Sequence, residues 1–154
     1  MEGRVPVILL VEDDPGDVLM VTEALERSAR PPVLQVAADG QEALDLLQTP
    51  GRARPDLILL DLNMPRMDGR QALAAIKADA QLRAIPVVVF TTSDAETDVL
   101  ASYQRHASAY VTKPMDLEAM DSVVDRIGRF YTMVSTLLPA ERIEQQIEAD
   151  EVNG

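Results

Sequence analysis

The chain has 154 residues, 47% of them hydrophobic, and carries a net charge of −12, with 26 acidic residues against 14 basic ones. That length suits one domain with a real core, and the charge argues against a nucleic-acid phosphate surface and suits a partner with a basic docking face. The lack of cysteine removes disulfide and thiolate chemistry, the opening Met1-Glu2-Gly3-Arg4-Val5-Pro6 has no signal-peptide pattern, and no apolar run approaches the roughly 20 residues that cross a bilayer, so a soluble cytoplasmic protein with no membrane contact is expected.

Apolar runs and helical periods alternate along the chain. Val7–Val11 reads as a strand, and Asp17–Ser28 as a helix with Val18, Val21 and Leu25 facing a sheet. Pro31-Pro32 breaks the chain before a short strand, Val33–Ala37, and Asp39-Gly40 turns into a helix, Gln41–Gln48, with Ala43, Leu44 and Leu47 inward. After the polar loop Gly51–Pro55 come a strand, Leu57–Leu60, and a helix, Gln71–Ala78, burying Leu73 and Ile76. Pro86–Phe90 is the fourth strand, Ala95–His106 the fourth helix, Ala109–Val111 the fifth strand and Leu117–Val134 the fifth helix. Strands alternating with helices through short loops imply a parallel sheet covered on both faces, and the unbroken Val, Ile and Leu runs agree. The fold class is α/β, a doubly wound (βα)5 arrangement; if its strand order is 2-1-3-4-5, strands one and three are neighbours at the switch point where their helices go to opposite faces.

The fifth helix carries two apolar stripes. Leu117, Met120, Val124, Ile127 and Tyr131 follow helical spacing and suffice to dock one face. Val123, Phe130, Val134 and Leu138 form a second stripe that reads as a partner or dimer surface. The expected organisation is one domain over residues 1–134, followed by a polar tail over residues 135–154, where Ala140–Glu151 is a short exposed helix or a frayed end.

The chemistry gathers at strand ends. In open α/β sheets ligands bind beyond the carboxyl ends of the strands, and here those ends are Glu12-Asp13, Asp61, Thr91-Thr92 and Lys113-Pro114. Three carboxylates in one crevice repel unless protonated or bridged by a cation, and all-oxygen ligation is what magnesium prefers. Asp13, Asp61 and the backbone carbonyl of Asn63 are the expected direct ligands, with Glu12 acting through water. Asp61 is the candidate nucleophile, because a carboxylate can attack phosphorus to give an acyl phosphate. Lys113 would neutralise charge on the transferred group, and a cis Lys113-Pro114 bond, a form found in about 5–6% of X-Pro bonds, would aim it inward. Thr91 and Thr92 compete for the role of hydroxyl donor, with the amide of residue 92 a further donor.

Four segments carry a family resemblance: Val11-Glu12-Asp13-Asp14; Leu60-Asp61-Leu62-Asn63-Met64-Pro65 with Asp68-Gly69; Phe90-Thr91-Thr92-Ser93; and Tyr110-Val111-Thr112-Lys113-Pro114. In this order and on alternating strands they resemble the receiver domains of two-component response regulators, which have a flavodoxin-like fold, over roughly residues 5 to 131. The resemblance implies that Asp61 accepts phosphate from a sensor histidine kinase, that Glu12 and Asp13 hold magnesium, and that Lys113 contacts the phosphate. It also implies Thr91 as the switch hydroxyl and Tyr110 as the aromatic switch. Asn63, Thr92 and Ser93 flank the site and are the expected modulators of hydrolysis. Thr91-Thr92-Ser93, Ile85-Pro86 and the long fifth helix look closest to the single-domain regulators that accompany bacterial phytochromes. His106 departs from the family, which often has glycine in the loop before the fifth strand, and as a lone histidine it reads as a surface residue rather than a metal ligand or phosphate donor.

Phosphorylation adds roughly −1.5 to −2 charge. On this reading Thr91 moves toward it, Tyr110 turns inward, and the surface of the fourth helix, fifth strand and fifth helix changes shape. The tail is too short and too acidic for a DNA-binding output, so the expected output is protein contact: a homodimer through that surface and the C-terminal extension, docking to the kinase, or passing phosphate onward in a phosphorelay. Two other classes share parts of the pattern. A haloacid-dehalogenase phosphatase also uses a carboxylate and magnesium, but it places an Asp-x-Asp pair on its first strand, and here the residue two beyond Asp61 is Asn63. A flavodoxin needs a hydroxyl- and glycine-rich phosphate loop where Glu12-Asp13-Asp14-Pro15 stands, and no Gly-rich nucleotide loop supports ATP or NAD.

Overall fold

The structure is a computed structural model describing residues 4–137. Five strands, β1 (Val7–Val11), β2 (Val33–Ala37), β3 (Leu57–Leu60), β4 (Val87–Thr91) and β5 (Ala109–Thr112), form one sheet. All are parallel in the expected order β2-β1-β3-β4-β5. Five helices alternate with them: α1 (Pro15–Glu26), α2 (Gly40–Gln48), α3 (Gly69–Ala78), α4 (Glu96–Gln104) and α5 (Leu117–Arg129). No helix among the described residues is long and apolar enough to cross a membrane. Of the polar tail expected over residues 135–154, the part beyond residue 137 lies outside the described residues.

The central strands are buried on both faces, and their pleat divides the core in two. Leu9, Val11, Ile58, Leu60, Val87 and Val89 point to the side covered by α2 and α3, where Ala43, Leu44, Leu73 and Ile76 meet them. Ile8, Leu10, Leu57, Leu59, Val88 and Phe90 point to the side covered by α1 and α5, against Val21, Leu25, Met120 and Val124. Each of the larger buried side chains, Val, Leu, Ile, Met or Phe, contributes about 1.5–3 kcal/mol. On the second side α1 and α5 pack closely at Gly128, where a Cβ would stand 2.8 Å from Leu25 Cδ2.

Helix starts differ from the sequence expectation because side-chain caps, not apolar periods, set them. Asp14 accepts from the amides of Gly16 and Asp17 with Pro15 in the first turn, so α1 begins two residues before Asp17. Asp39 caps α2, and Asp68 and Gln71 cap each other's amides at the start of α3. Pro86 stays outside β4, lacking the N–H that a ladder requires.

Two expectations for α5 need correction. Leu117 is 68% exposed instead of docked, since it opens the first turn beyond the sheet, whereas Val123 of the second stripe packs partly into the core. Phe130 is 51% exposed, as the stripe required, while the Val134 side chain and Leu138 lie outside the described residues. The α-helix also stops at Arg129 and continues as a single π-helical turn over Phe130–Val134.

The fourth helix ends at Gln104, short of the expected His106, for a backbone reason. His106 adopts φ 69°, its amide donates to Tyr103 O and that of Ala107 to Ser102 O, which together close the helix in the left-handed manner that favours glycine. Replacing His106 with glycine is therefore expected to stabilise the protein by about 0.5–1 kcal/mol, read as a higher urea midpoint at unchanged slope.

Candidate functional site

The parallel sheet brings the carboxyl ends of β1, β3, β4 and β5 to one edge, and the register aligns them. Val11 pairs with Leu60 and Thr91 with Thr112, so Glu12, Asp61 and Lys113 each stand one step past a paired position. Backbone bonds continue the ladders there: Asp61 N donates to Val11 O at 3.0 Å and Lys113 N to Thr91 O at 2.7 Å. The helices then leave β1 and β3 toward opposite faces, opening the crevice expected at this switch point.

Glu12 and Asp61 are buried and Asp13 is exposed, and each offers an oxygen within 4.8 Å of the others. The structure thus brings together the three acids expected from the sequence. Lys113 reaches in from β5, buried, with Nζ 2.5 Å from Glu12 Oε2, 2.8 Å from Asp17 Oδ2 and 3.5 Å from Asp61 Oδ2. Its inward aim does not come from a cis peptide: no cis bond occurs among the described residues. The pleat does it instead, because Thr112 faces solvent and the next residue along must face the crevice.

Charge balance dominates this site. Burial pushes the Glu12 carboxyl up to about 7, the nearby Asp61 charge adds to the rise, and the hydrogen bond from Lys113 opposes it. Burial alone would pull the Lys113 ammonium down, but hydrogen bonds to Asp17 and Glu12 and the charge of Asp61 outweigh it and hold the group above an ordinary lysine. One lysine thus faces four acids, counting Asp13. A divalent cation held by oxygens fits this donor set and would relieve the excess.

The remaining candidates divide by burial. Thr91 is fully buried, and its Oγ1 finds no hydrogen-bond partner among the described residues; Thr92 is exposed. A buried hydroxyl facing this edge without an acceptor is suited to a group that arrives later. Asn63 is exposed and its amide lies 3.4 Å from Asp61 Oδ1. Ser93 donates to Asp98, and Tyr110 is half-buried with its hydroxyl donating to the Ser93 carbonyl at 2.6 Å. His106 is exposed, as expected of a lone surface histidine.

Sequence reasoning missed Asp17 as a partner of Lys113. The signal was present: Asp14-Pro15 starts α1 early and places Asp17 in its first turn, above the strand ends. Gly69, in the sequence only a part of the family pattern, owes its place to contact: a Cβ there would stand 1.9 Å from Asp61 O, so that only a bare backbone lets α3 start against the end of β3.

The upshift of Glu12 gives a pH dependence of known sign. A carboxyl raised from 4.5 to about 7 contributes stability that is fully present below its unfolded value and lost as pH rises through about 7. Without divalent ions, wild type should lose stability between about pH 5 and pH 8 relative to Glu12→Gln, measured by urea midpoints across that range. Parallel curves for the two proteins would show that Glu12 does not titrate there.

Residues 8–125 match the model of the response regulator receiver domain. Response regulator Rcp1 of Synechocystis sp. is 45% identical over 135 residues, covering 85% of this chain and 92% of that protein. Among solved structures, the phosphorylated cyanobacterial phytochrome response regulator RcpA superposes with a TM-score of 0.85 at 41% identity, covering 88% of this chain and 100% of that one. The Mn(2+)-bound form of Rcp1 superposes with a TM-score of 0.83 at 44% identity, covering 87% of this chain and 99% of that one.

Proposed function

This chain belongs to the response regulator receiver domain family, and from that premise we propose that Asp61 accepts a phosphoryl group from a sensor histidine kinase. The observation that carries the reading is the convergence of Glu12, Asp13 and Asp61 within 4.8 Å, beside the buried ammonium of Lys113. The family match leaves a haloacid-dehalogenase phosphatase without support, and the chain acts as a signalling domain.

An Asp61 carboxylate oxygen attacks phosphorus, the bond to the donor's imidazole nitrogen breaks, and the imidazole leaves with that electron pair. The product is an acyl phosphate on Asp61. Lys113 Nζ, 3.5 Å from Asp61 Oδ2, is placed to meet a phosphoryl oxygen. The Thr91 hydroxyl and the amide of Thr92 donate to the same group once the loop after β4 moves toward it. Asp13, Asp61 and the Asn63 carbonyl would hold Mg2+ directly, with Glu12 acting through water. When bound, Mg2+ supplies positive charge against the phosphoryl oxygens. Asn63 and Ser93 flank the group and modulate how fast water removes it.

The relatives named as phytochrome response regulators support a kinase of the phytochrome class as phosphodonor, in the cytoplasm. The match over residues 8–125 supports a receiver domain, which we place over residues 1–134. The output is contact through α4, β5, α5 and the C-terminal extension, as a homodimer. Leu100, Tyr103, Phe130 and Met133 are each about half exposed or more on these elements, which suits a protein surface. No nucleic acid or membrane is invoked, since the net charge of −12 repels both phosphate backbones and anionic lipid.

Mass spectrometry after incubation with acetyl phosphate and Mg2+ tests the acceptor. Wild type should gain one phosphoryl group, Asp61→Asn should gain none, and chelation of Mg2+ should abolish the gain; uptake by Asp61→Asn would dismiss the site. Tyr110→Ala should take up phosphate normally yet lose phosphorylation-dependent association in sedimentation. Unchanged association would remove Tyr110 from the switch.

A further inference from the structure

Beside the acid site lies a second polar network, built on Arg70 and Asp98, two residues given no part in the proposed phosphoryl chemistry. Arg70, in the first turn of α3, forks onto Asp98 of α4, with Nε 2.9 Å from Oδ1 and Nη2 2.8 Å from Oδ2. Asp98 Oδ2 also accepts from Ser93 Oγ at 2.7 Å, and the Ser93 carbonyl accepts from the Tyr110 hydroxyl. The remaining Nη1 turns back to the loop after β3, where it lies 3.4 Å from Leu62 O and 3.5 Å from Asn63 Oδ1. One line of contacts therefore runs from the two residues after Asp61 to α4, to the loop after Thr91, and to the ring on β5.

Apart from the Tyr103 hydroxyl, which accepts from the Tyr110 amide at 3.1 Å, little else fixes α4. Of its residues only Ser102 is buried, and Ala95 at its start offers no side-chain cap. An isolated surface ion pair contributes little, about 0–1 kcal/mol. This one is bidentate, its Asp98 side chain is 19% exposed, and it is tied to a serine and a tyrosine, which makes it a network. The Arg70 and Ser93 bonds hold the Asp98 carboxyl below the usual carboxylate range, so the pair stays charged near neutrality.

We infer that Arg70 and Asp98 are positioning residues: their ion pair latches Ser93 and Tyr110 in the arrangement described and so sets how readily Thr91 reaches a phosphoryl group. The inference rests on Asp61 being the acceptor. Ser93 stands two residues from Thr91, so drawing the Thr91 hydroxyl toward Asp61 drags Ser93 and strains both of its bonds. A phosphoryl group arriving beside Leu62 and Asn63 also competes with Asp98 for the guanidinium donors. The latched and released arrangements form a two-state element, and weakening the pair shifts the population toward the reactive one.

The test compares initial rates of phosphorylation by acetyl phosphate with Mg2+ for the full chain, Arg70→Gln, Asp98→Asn and the double variant. Each single variant should react about fivefold faster than wild type, and the double variant no faster than either single one. In parallel, fluorine NMR of 3-fluorotyrosine-labelled protein reads the Tyr110 ring, whose signal should shift toward the phosphorylated position in both single variants. Ser93→Ala should reproduce Asp98→Asn, which keeps the test alive if Arg70→Gln fails to fold. Unchanged or slower rates, additive effects, or a faster Asp98→Asn beside a slower Arg70→Gln would each overturn the latch. A wild type that takes up no phosphate would instead overturn the acceptor assignment.

Discussion

The buried ammonium of Lys113 is the constraint on which the site depends. It joins the end of β5 to the end of β1 and the first turn of α1, spanning 101 residues to Glu12 and 96 to Asp17. Leaving one member of such a buried set unpaired costs about 3–5 kcal/mol. The lysine can sit there only because acids surround it, and the acids can crowd together only because the lysine offsets part of their charge. The offset is incomplete, and that shortfall is what suits the crevice to a cation and a transferable phosphoryl group.

Backbone geometry sets where the acceptor stands. The loop from Asp61 to Gly69 is folded tightly: Gly69 N donates to Leu62 O, Gly40 N to Met67 O, and Arg66 Nε to Asp39 Oδ2. Arg66 takes φ 59°, a left-handed conformation that its bond to the buried Asp39 helps hold. Gly69 then lets α3 begin in contact with the backbone of Asp61. The acceptor thus rests on a rigid strand end while the β4–α4 loop opposite is held mainly by polar bonds. A stiff acceptor facing a softer loop is an arrangement in which a local charge can move one side without disturbing the other.

That asymmetry extends along the fold. Phe90 and its neighbours on β4 are locked in the core, whereas β5 is an edge strand of half-buried residues and α4 buries little. A displacement at Thr91 would therefore meet less resistance toward α4 and β5 than toward α2 and α3, which are fixed by Leu73, Ile76 and Leu44.

The sequence by itself determined the alternation of strands and helices and which polar residues, Glu12, Asp13, Asp61 and Lys113, stand at strand ends. These follow from uninterrupted apolar runs, local in sequence, whereas the strand order that makes those ends converge came from the family resemblance and is seen in the sheet. Only the tertiary structure decided which hydroxyl is buried, that Asp17 shares the lysine, that Leu117 is exposed while Val123 is not, and that Arg70 meets Asp98. Each of those depends on where helices start and how they lie across the sheet, and a one-residue shift of a cap such as Asp14 rotates every side chain on a helix by about 100°. Pairings between helices carry no sequence period, so Arg70 and Asp98 became partners only when α3 and α4 were placed side by side.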